Sequence, residues 1–167
     1  MTTTAPLNVL FLCTHNSARS ILAEALLNSI AGDRFKAYSA GSSPRENQCP
    51  HPLGLQTLQA AGLSTEGLRS KSWDEFAAPG APHMDLIITV CDNAAGEVCP
   101  VWPGHPAMAH WSYPDPSEGN TSDAQKREAF RKTLHTIKRR LELLINLPAS
   151  KLGTSSLQES ARNLASQ

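Results

Sequence analysis

A doubly wound α/β fold, with a small sheet of about four parallel strands and helices on both faces, is predicted by three observations. Short apolar runs alternate with stretches whose apolar residues recur every three or four positions. The runs are apolar throughout rather than alternately polar, as in strands buried on both faces. Breaks bearing Gly, Pro or Asn separate the segments.

Leu7 to Leu12 is the first strand, with Val9 and Phe11 inside an unbroken apolar run. A helix follows, marked by Ile21, Leu22, Ala25, Leu26 and Ile30, and Gly32 stands where a helix end takes a left-handed residue. Phe35 to Ala40 is the second strand, broken at Gly41. Leu53, Leu55, Leu58, Ala61 and Leu63 form a second helical stripe, with Gly62 near its end. Met84 to Val90 is the third strand, because Ile87, Ile88, Thr89 and Val90 are β-branched in succession, and Cys91 sits at its carboxyl end. Ala107 to Trp111 is the fourth. Ser122 and Gln125 have capping-box spacing ahead of a long helix whose apolar stripe is Phe130, Leu134, Ile137, Leu141, Leu144 and Ile145, and Pro148 ends it. Residues 1–148 read as a single domain and residues 149–167 as a mobile tail or weak extra helix.

The chain of 167 residues is long enough to bury roughly 70% of the surface its unfolded form exposes. Fifteen Lys+Arg balance fifteen Asp+Glu, so no overall field gathers nucleic acid or anionic membrane. The basic residues of the long helix are interspersed with Glu128 and Glu142 and read as its solvated face. The N-terminus lacks the basic segment of a secretory signal and no apolar run spans a bilayer, so a cytoplasmic protein is expected. Four cysteines beside motif-like residues fit a reducing compartment.

Cys13 to Ser20 lies where the first strand gives way to the first helix, the place at which α/β sheets collect ligands. The backbone N–H groups of His15, Asn16, Ser17, Ala18 and Arg19 can turn inward in a loop of this length and form a nest for a tetrahedral oxyanion, backed by the helix dipole. Arg19 adds a planar cation with two parallel donors. The same field favours a thiolate, so the Cys13 pKa is expected to fall below the ordinary ~8.5, with Ser20 or Ser17 donating to the sulfur. The expected product is a nucleophile aimed at the central atom of a bound anion.

The segments CTHNSARS, YSAG (Tyr38 to Gly41), LIITVCDNAAGEVCP and HWSYPDP (His110 to Pro116) together resemble the low-molecular-weight protein tyrosine phosphatases and the arsenate reductases built on the same fold. The resemblance runs from about Asn8 to Ile145. It implies that Cys13 attacks, that Arg19 with Thr14, His15, Asn16, Ser17, Ala18 and Ser20 holds the oxyanion, and that Asp115 protonates the leaving oxygen. A phosphatase needs only one thiol. Cys91 and Cys99 resemble the extra pair of the thioredoxin-coupled arsenate reductases, in which one thiol resolves and the next carries the disulfide outward. Seven residues separate them. Eight residues of intact helix rise about 12 Å, whereas a disulfide needs Cα atoms within roughly 7 Å, so the segment between them must bend or unwind.

The resemblance implies no bound cofactor and an external reductant, either thioredoxin or glutaredoxin or another low-molecular-weight thiol. The rival reading within the fold is a tyrosine phosphatase, against which Ser117 and Glu118 stand where such enzymes place aromatic residues. A zinc or thiol-sensor module using Cys49, His51, Cys91, Cys99, His105 or His110 is a further alternative, unsupported by any paired Cys-x2-Cys spacing. Asn16, Glu24 and Ser39 match a cation site of some reductases, but its further carboxylate falls on Trp73, and no bound metal is expected.

Overall fold

The structure is a computed structural model that describes residues 6–91, 106–119 and 121–166. Four strands, β1 (Leu7–Cys13), β2 (Phe35–Gly41), β3 (Leu86–Thr89) and β4 (Ala107–His110), form one parallel sheet in the order β2-β1-β3-β4. The helices are α1 (Arg19–Ala31), α2 (Pro52–Ala60), α3 (Asp74–Ala77), α4 (Asp123–Ile145) and α5 (Thr154–Leu164).

β1 explains the unbroken apolar run. Val9, Phe11 and Cys13 face a core built with α1, α4 and α5. Leu10 and Leu12 face the other side, where Trp73 and Phe76 around α3 cover them together with Met84 and Ile87. Because both faces are covered, no position along the strand favours a polar residue. α4 begins at the expected capping box: Ser122 Oγ accepts from Gln125 N at 3.2 Å, and Gln125 Oε1 accepts from Ser122 N at 3.1 Å. Its stripe from Phe130 to Leu144 is buried, while Arg127, Arg131, Lys132, Lys138 and Arg139 face solvent.

Gly32 departs from expectation. Its φ of −62° is right-handed, so no left-handed turn requires glycine. A Cβ there would lie 2.5 Å from the Asn28 carbonyl oxygen, and this close approach is what a side chain could not meet. The left-handed residue is Gly62, at φ 78°, just beyond α2.

Residues beyond Pro148 continue into α5, which packs on the edge strand β4. Gln158 Oε1 accepts from Met108 N at 3.0 Å, Arg162 Nε donates to Met108 O at 3.0 Å, and Trp111 Nε1 donates to Ala161 O at 2.8 Å. An edge strand presents unpaired backbone groups, and α5 satisfies both of those on Met108. Leu157 and Ala161 are buried beneath it. Among the described residues, no helix is long and apolar enough to cross a membrane.

Candidate active site

The sheet order places the site. β1 pairs with β2 on one side and β3 on the other, and the two connections leave β1 in opposite directions, which opens a crevice at the carboxyl ends. Val90 N donates to Leu12 O at 2.8 Å, so the residues that follow, Cys13 and Cys91, emerge side by side. Thr14 Oγ1 lies 3.4 Å from Cys91 Sγ.

The loop from Cys13 to Ser20 is held by its carbonyls. Ser42 N donates to Cys13 O at 3.0 Å, Ser43 N to Thr14 O at 2.8 Å, Ser70 Oγ to Asn16 O at 2.6 Å and His51 N to Ser17 O at 2.8 Å. A trans peptide points its C=O and the next N–H in opposite directions. The N–H groups of Thr14, His15, Ser17 and Ala18 are thereby turned away from these partners and toward the interior of the loop. Asn16 is left-handed at φ 56°, the conformation Asn tolerates best after Gly. Its N–H points to Cys13 Sγ at 3.2 Å, and its Nδ2 donates to Ser20 Oγ at 2.7 Å. The His15 ring leaves the loop, its Nδ1 donating to Ser43 O at 2.9 Å.

Cys13 is only 3% exposed, and Ser20 Oγ lies 2.9 Å from its sulfur. Burial pushes the Cys13 thiol up, the neighbouring Cys91 thiol adds to the rise, and the Ser20 hydroxyl and amide with the Arg19 guanidinium pull it down. Burial prevails, so the thiol is raised, the reverse of the sequence expectation. The expected donors are present, but enclosure removes the water that would solvate a thiolate.

Arg19 joins the loop to the segment after β4. Its Nη1 donates to Tyr113 O at 3.0 Å, and Nη2 stands 3.9 Å from Asp115 Oδ2. Its Nε is buried without a hydrogen-bond partner among the described residues, a donor suited to an oxyanion. Asp115 Oδ1 accepts from Ser117 N at 2.9 Å and Ser117 Oγ at 2.7 Å, which leaves Oδ2 toward the arginine. The turn-forming role of Asp115 and its place beside the loop therefore coexist. Arg140 of α4 stacks over Trp111 and Tyr113 at 5.7 and 5.0 Å and fixes this segment from behind. A cleft of about 410 Å³ has Arg19, Cys91, Asp115 and Glu118 among its walls. A larger groove, about 570 Å³ beside Leu26, Leu63 and Leu134, has no cysteine in its walls.

The structure thus brings together Cys13 to Ser20, Asp115 and Cys91. Cys99 and His105 lie outside the described residues. Cys49 is exposed on the connection before α2, and His51 caps that helix, its Nδ1 accepting from Leu53 N at 3.1 Å. Among the described residues, no group of three or more His, Cys, Asp or Glu side chains could hold a metal ion.

Sequence reasoning missed Ser70 and Lys71. Lys71 N donates to Asn16 Oδ1 at 3.0 Å, and Lys71 Nζ donates to Ser39 O at 2.7 Å, 3.9 Å from Glu24 Oε1. Ser39 Oγ donates to the same carboxylate oxygen at 2.5 Å. Burial pushes the Glu24 carboxyl up and the Lys71 ammonium down, and their mutual attraction opposes both shifts. The polar stretch Arg69-Ser-Lys-Ser72 has no periodicity, and nothing in it signals proximity to a loop 55 positions away.

Comparison with known proteins finds relatives over most of the chain. The family model of the low molecular weight phosphotyrosine protein phosphatases matches residues 8–160. The arsenate reductases of Halalkalibacterium halodurans and Bacillus subtilis are each 31% identical over 134 residues, which is 80% of this chain and 91% of theirs. Among solved structures, an arsenate reductase in its reduced state superposes with a TM-score of 0.64 at 26% identity, covering 83% of this chain and 96% of that one. The thioredoxin-dependent arsenate reductase of Corynebacterium glutamicum gives 0.58 at 27% identity over 84% of this chain, which spans 63% of that longer protein.

Proposed function

The chain belongs to the low molecular weight phosphotyrosine protein phosphatase family, and from that premise we propose that it reduces arsenate to arsenite by a relay of thiols: Cys13 attacks, Cys91 resolves and Cys99 shuttles. The observation that carries this reading is the second buried thiol, Cys91, against Thr14 of the loop. Phosphoryl transfer to one cysteine and hydrolysis by water need no such group. The arsenate reductases among its relatives support the same substrate.

Arsenate enters the loop with its oxygens on the inward amides and Arg19. The Cys13 thiolate attacks arsenic, an As–O bond breaks, and Asp115 gives its proton to the departing oxygen, which leaves as water. The proton of the raised Cys13 thiol passes to an oxygen of the bound arsenate dianion, and the Asn16 amide and Ser20 hydroxyl face the sulfur as it becomes a thiolate. The Cys91 thiolate then attacks Cys13 Sγ. The electron pair of the S–As bond stays on arsenic, which leaves as arsenite, and a Cys13–Cys91 disulfide forms. Cys99 attacks Cys91, returning Cys13 as a thiolate. An external dithiol of the thioredoxin class reduces the remaining Cys91–Cys99 bond. Thioredoxin is preferred to glutaredoxin because the C. glutamicum neighbour is thioredoxin-dependent. No bound cofactor takes part in these steps.

Arsenite release driven by thioredoxin and its reductase, measured beside aryl phosphate hydrolysis, tests the reading. Cys91→Ser is expected to abolish catalytic arsenate reduction and to leave any residual phosphate hydrolysis. Full arsenate turnover in Cys91→Ser removes Cys91 from the reaction, and phosphate hydrolysis without arsenate reduction in the wild type assigns a phosphatase instead.

A further inference from the structure

We propose that Lys71 is a positioning residue for the anion loop, its ammonium serving as an internal cation that locks the 70–71 segment against Asn16. The proposal rests on the reading of Cys13 to Ser20 as an anion-binding loop.

The placement of Lys71 needs a reason. Its side chain is 8% exposed and that of its partner Glu24 is 14% exposed, so both charges are largely taken from water. Such pairs return little net stability compared with apolar residues of similar size. What the pair does obtain is connection. Lys71 N donates to Asn16 Oδ1, Gly41 N donates to Lys71 O at 2.8 Å, and the preceding Ser70 Oγ donates to Asn16 O. The backbone of 70–71 is therefore stitched to the left-handed residue whose own amide reaches Cys13. The Lys71 side chain then anchors that segment to Ser39 of β2 and Glu24 of α1. Three parts of the fold meet at one ammonium.

The Ser39 carbonyl and the Glu24 carboxylate, 2.7 and 3.9 Å from the ammonium, are oxygen donors of the kind a free monovalent cation would take. Lys71 supplies the charge covalently, with three donors on one nitrogen. Loop geometry should therefore be independent of added cations in the wild type and become dependent on them once the ammonium is removed.

Protection of Cys13 from iodoacetamide by inorganic phosphate, followed by peptide mass mapping, reports loop affinity without turnover. In the wild type, phosphate is expected to protect equally in potassium or choline chloride at one ionic strength. In Lys71→Ala, phosphate affinity in choline falls by at least about tenfold, as misplacement of a binding group by a fraction of an ångström allows. Potassium, ammonium or propylammonium restores most of it. Wild-type affinity of Lys71→Ala in choline, a loss that none of these cations relieves, or a potassium requirement in the wild type overturns the proposal. If Lys71→Ala does not fold, Glu24→Gln keeps both side-chain shapes and must also weaken phosphate binding; unchanged affinity there is equally fatal. Absence of any phosphate protection in the wild type removes the anion-loop reading itself, whereas loss of arsenate reduction alone does not touch this proposal.

Discussion

Ser20 Oγ lies 2.9 Å from Cys13 Sγ while accepting a hydrogen bond from Asn16 Nδ2, so one hydroxyl on the first turn of α1 faces the nucleophile and is itself oriented from inside the loop. The Asn16 amide occupies one of the two lone pairs of this oxygen and leaves the hydroxyl proton available to the sulfur once the sulfur is a thiolate.

Ser20→Ala removes the largest influence opposing burial of the Cys13 thiol, so that thiol rises further. Because the folded protein already holds this proton more tightly than the unfolded chain, stability declines as pH climbs above the ordinary thiol value near 9, and the variant declines further. The alkylation profile of Cys13 is expected to move to higher pH, and arsenate turnover at neutral pH to fall by about tenfold or more, the scale of one hydrogen bond to a charged group. An unchanged profile would mean that the hydroxyl does not stabilise the thiolate.

Much of this site is legible in the sequence because local chemistry and strand position coincide there. Cys13 ends β1, Arg19 opens α1, Asp115 stands in the Pro-rich segment after β4, and Cys91 follows the β-branched run of β3. The parts that are not legible are those made by long-range contact. Lys71 reaches Asn16 across 55 positions, and the partners of α5 lie about 50 positions away on β4. α5 does carry a local signal, Leu157, Ala161 and Leu164 at helical spacing, but its start at Thr154-Ser-Ser156 is poor in strong helix formers, and the bonds that seat it against Met108 and Trp111 leave no mark on the segment itself. The raised Cys13 thiol is hidden from the sequence for a related reason: donors can be read from a motif, whereas the depth of the loop beneath the surface cannot.

Tyr113 carries a pH-dependent signature. The residue is 4% exposed, and burial pushes its phenol up to about 12 from the usual 10, against a smaller downward pull from the Arg140 guanidinium. The folded chain keeps a proton that the unfolded chain releases. Stability is therefore fully present below pH 10 and is lost progressively as pH rises toward 12, by up to about 2 to 3 kcal/mol for a shift of this size. Tyr113→Phe is expected to flatten the alkaline limb in urea titrations across that range while retaining stability at pH 7. Equal alkaline loss in both proteins would assign it to other groups.

Gly41 ends β2 beside the loop, and its lack of a side chain is a condition of the site. A Cβ there would stand 2.6 Å from Thr14 O, 2.9 Å from His15 C and 3.0 Å from Asn16 N, all backbone atoms of the anion loop. Its own N–H and C=O are engaged by Lys71 O and Trp73 N, so the strand cannot easily retreat. The added methyl of Gly41→Ala must therefore push the loop, at a cost of about 1 to 3 kcal/mol for overpacking. Because the displaced atoms are those that turn the amides inward, phosphate affinity and arsenate turnover are expected to fall by roughly a hundredfold while the sheet still forms. Circular dichroism and phosphate protection of Cys13 separate the two effects, and a folded Gly41→Ala protein with wild-type phosphate affinity would show that the loop yields without losing its shape.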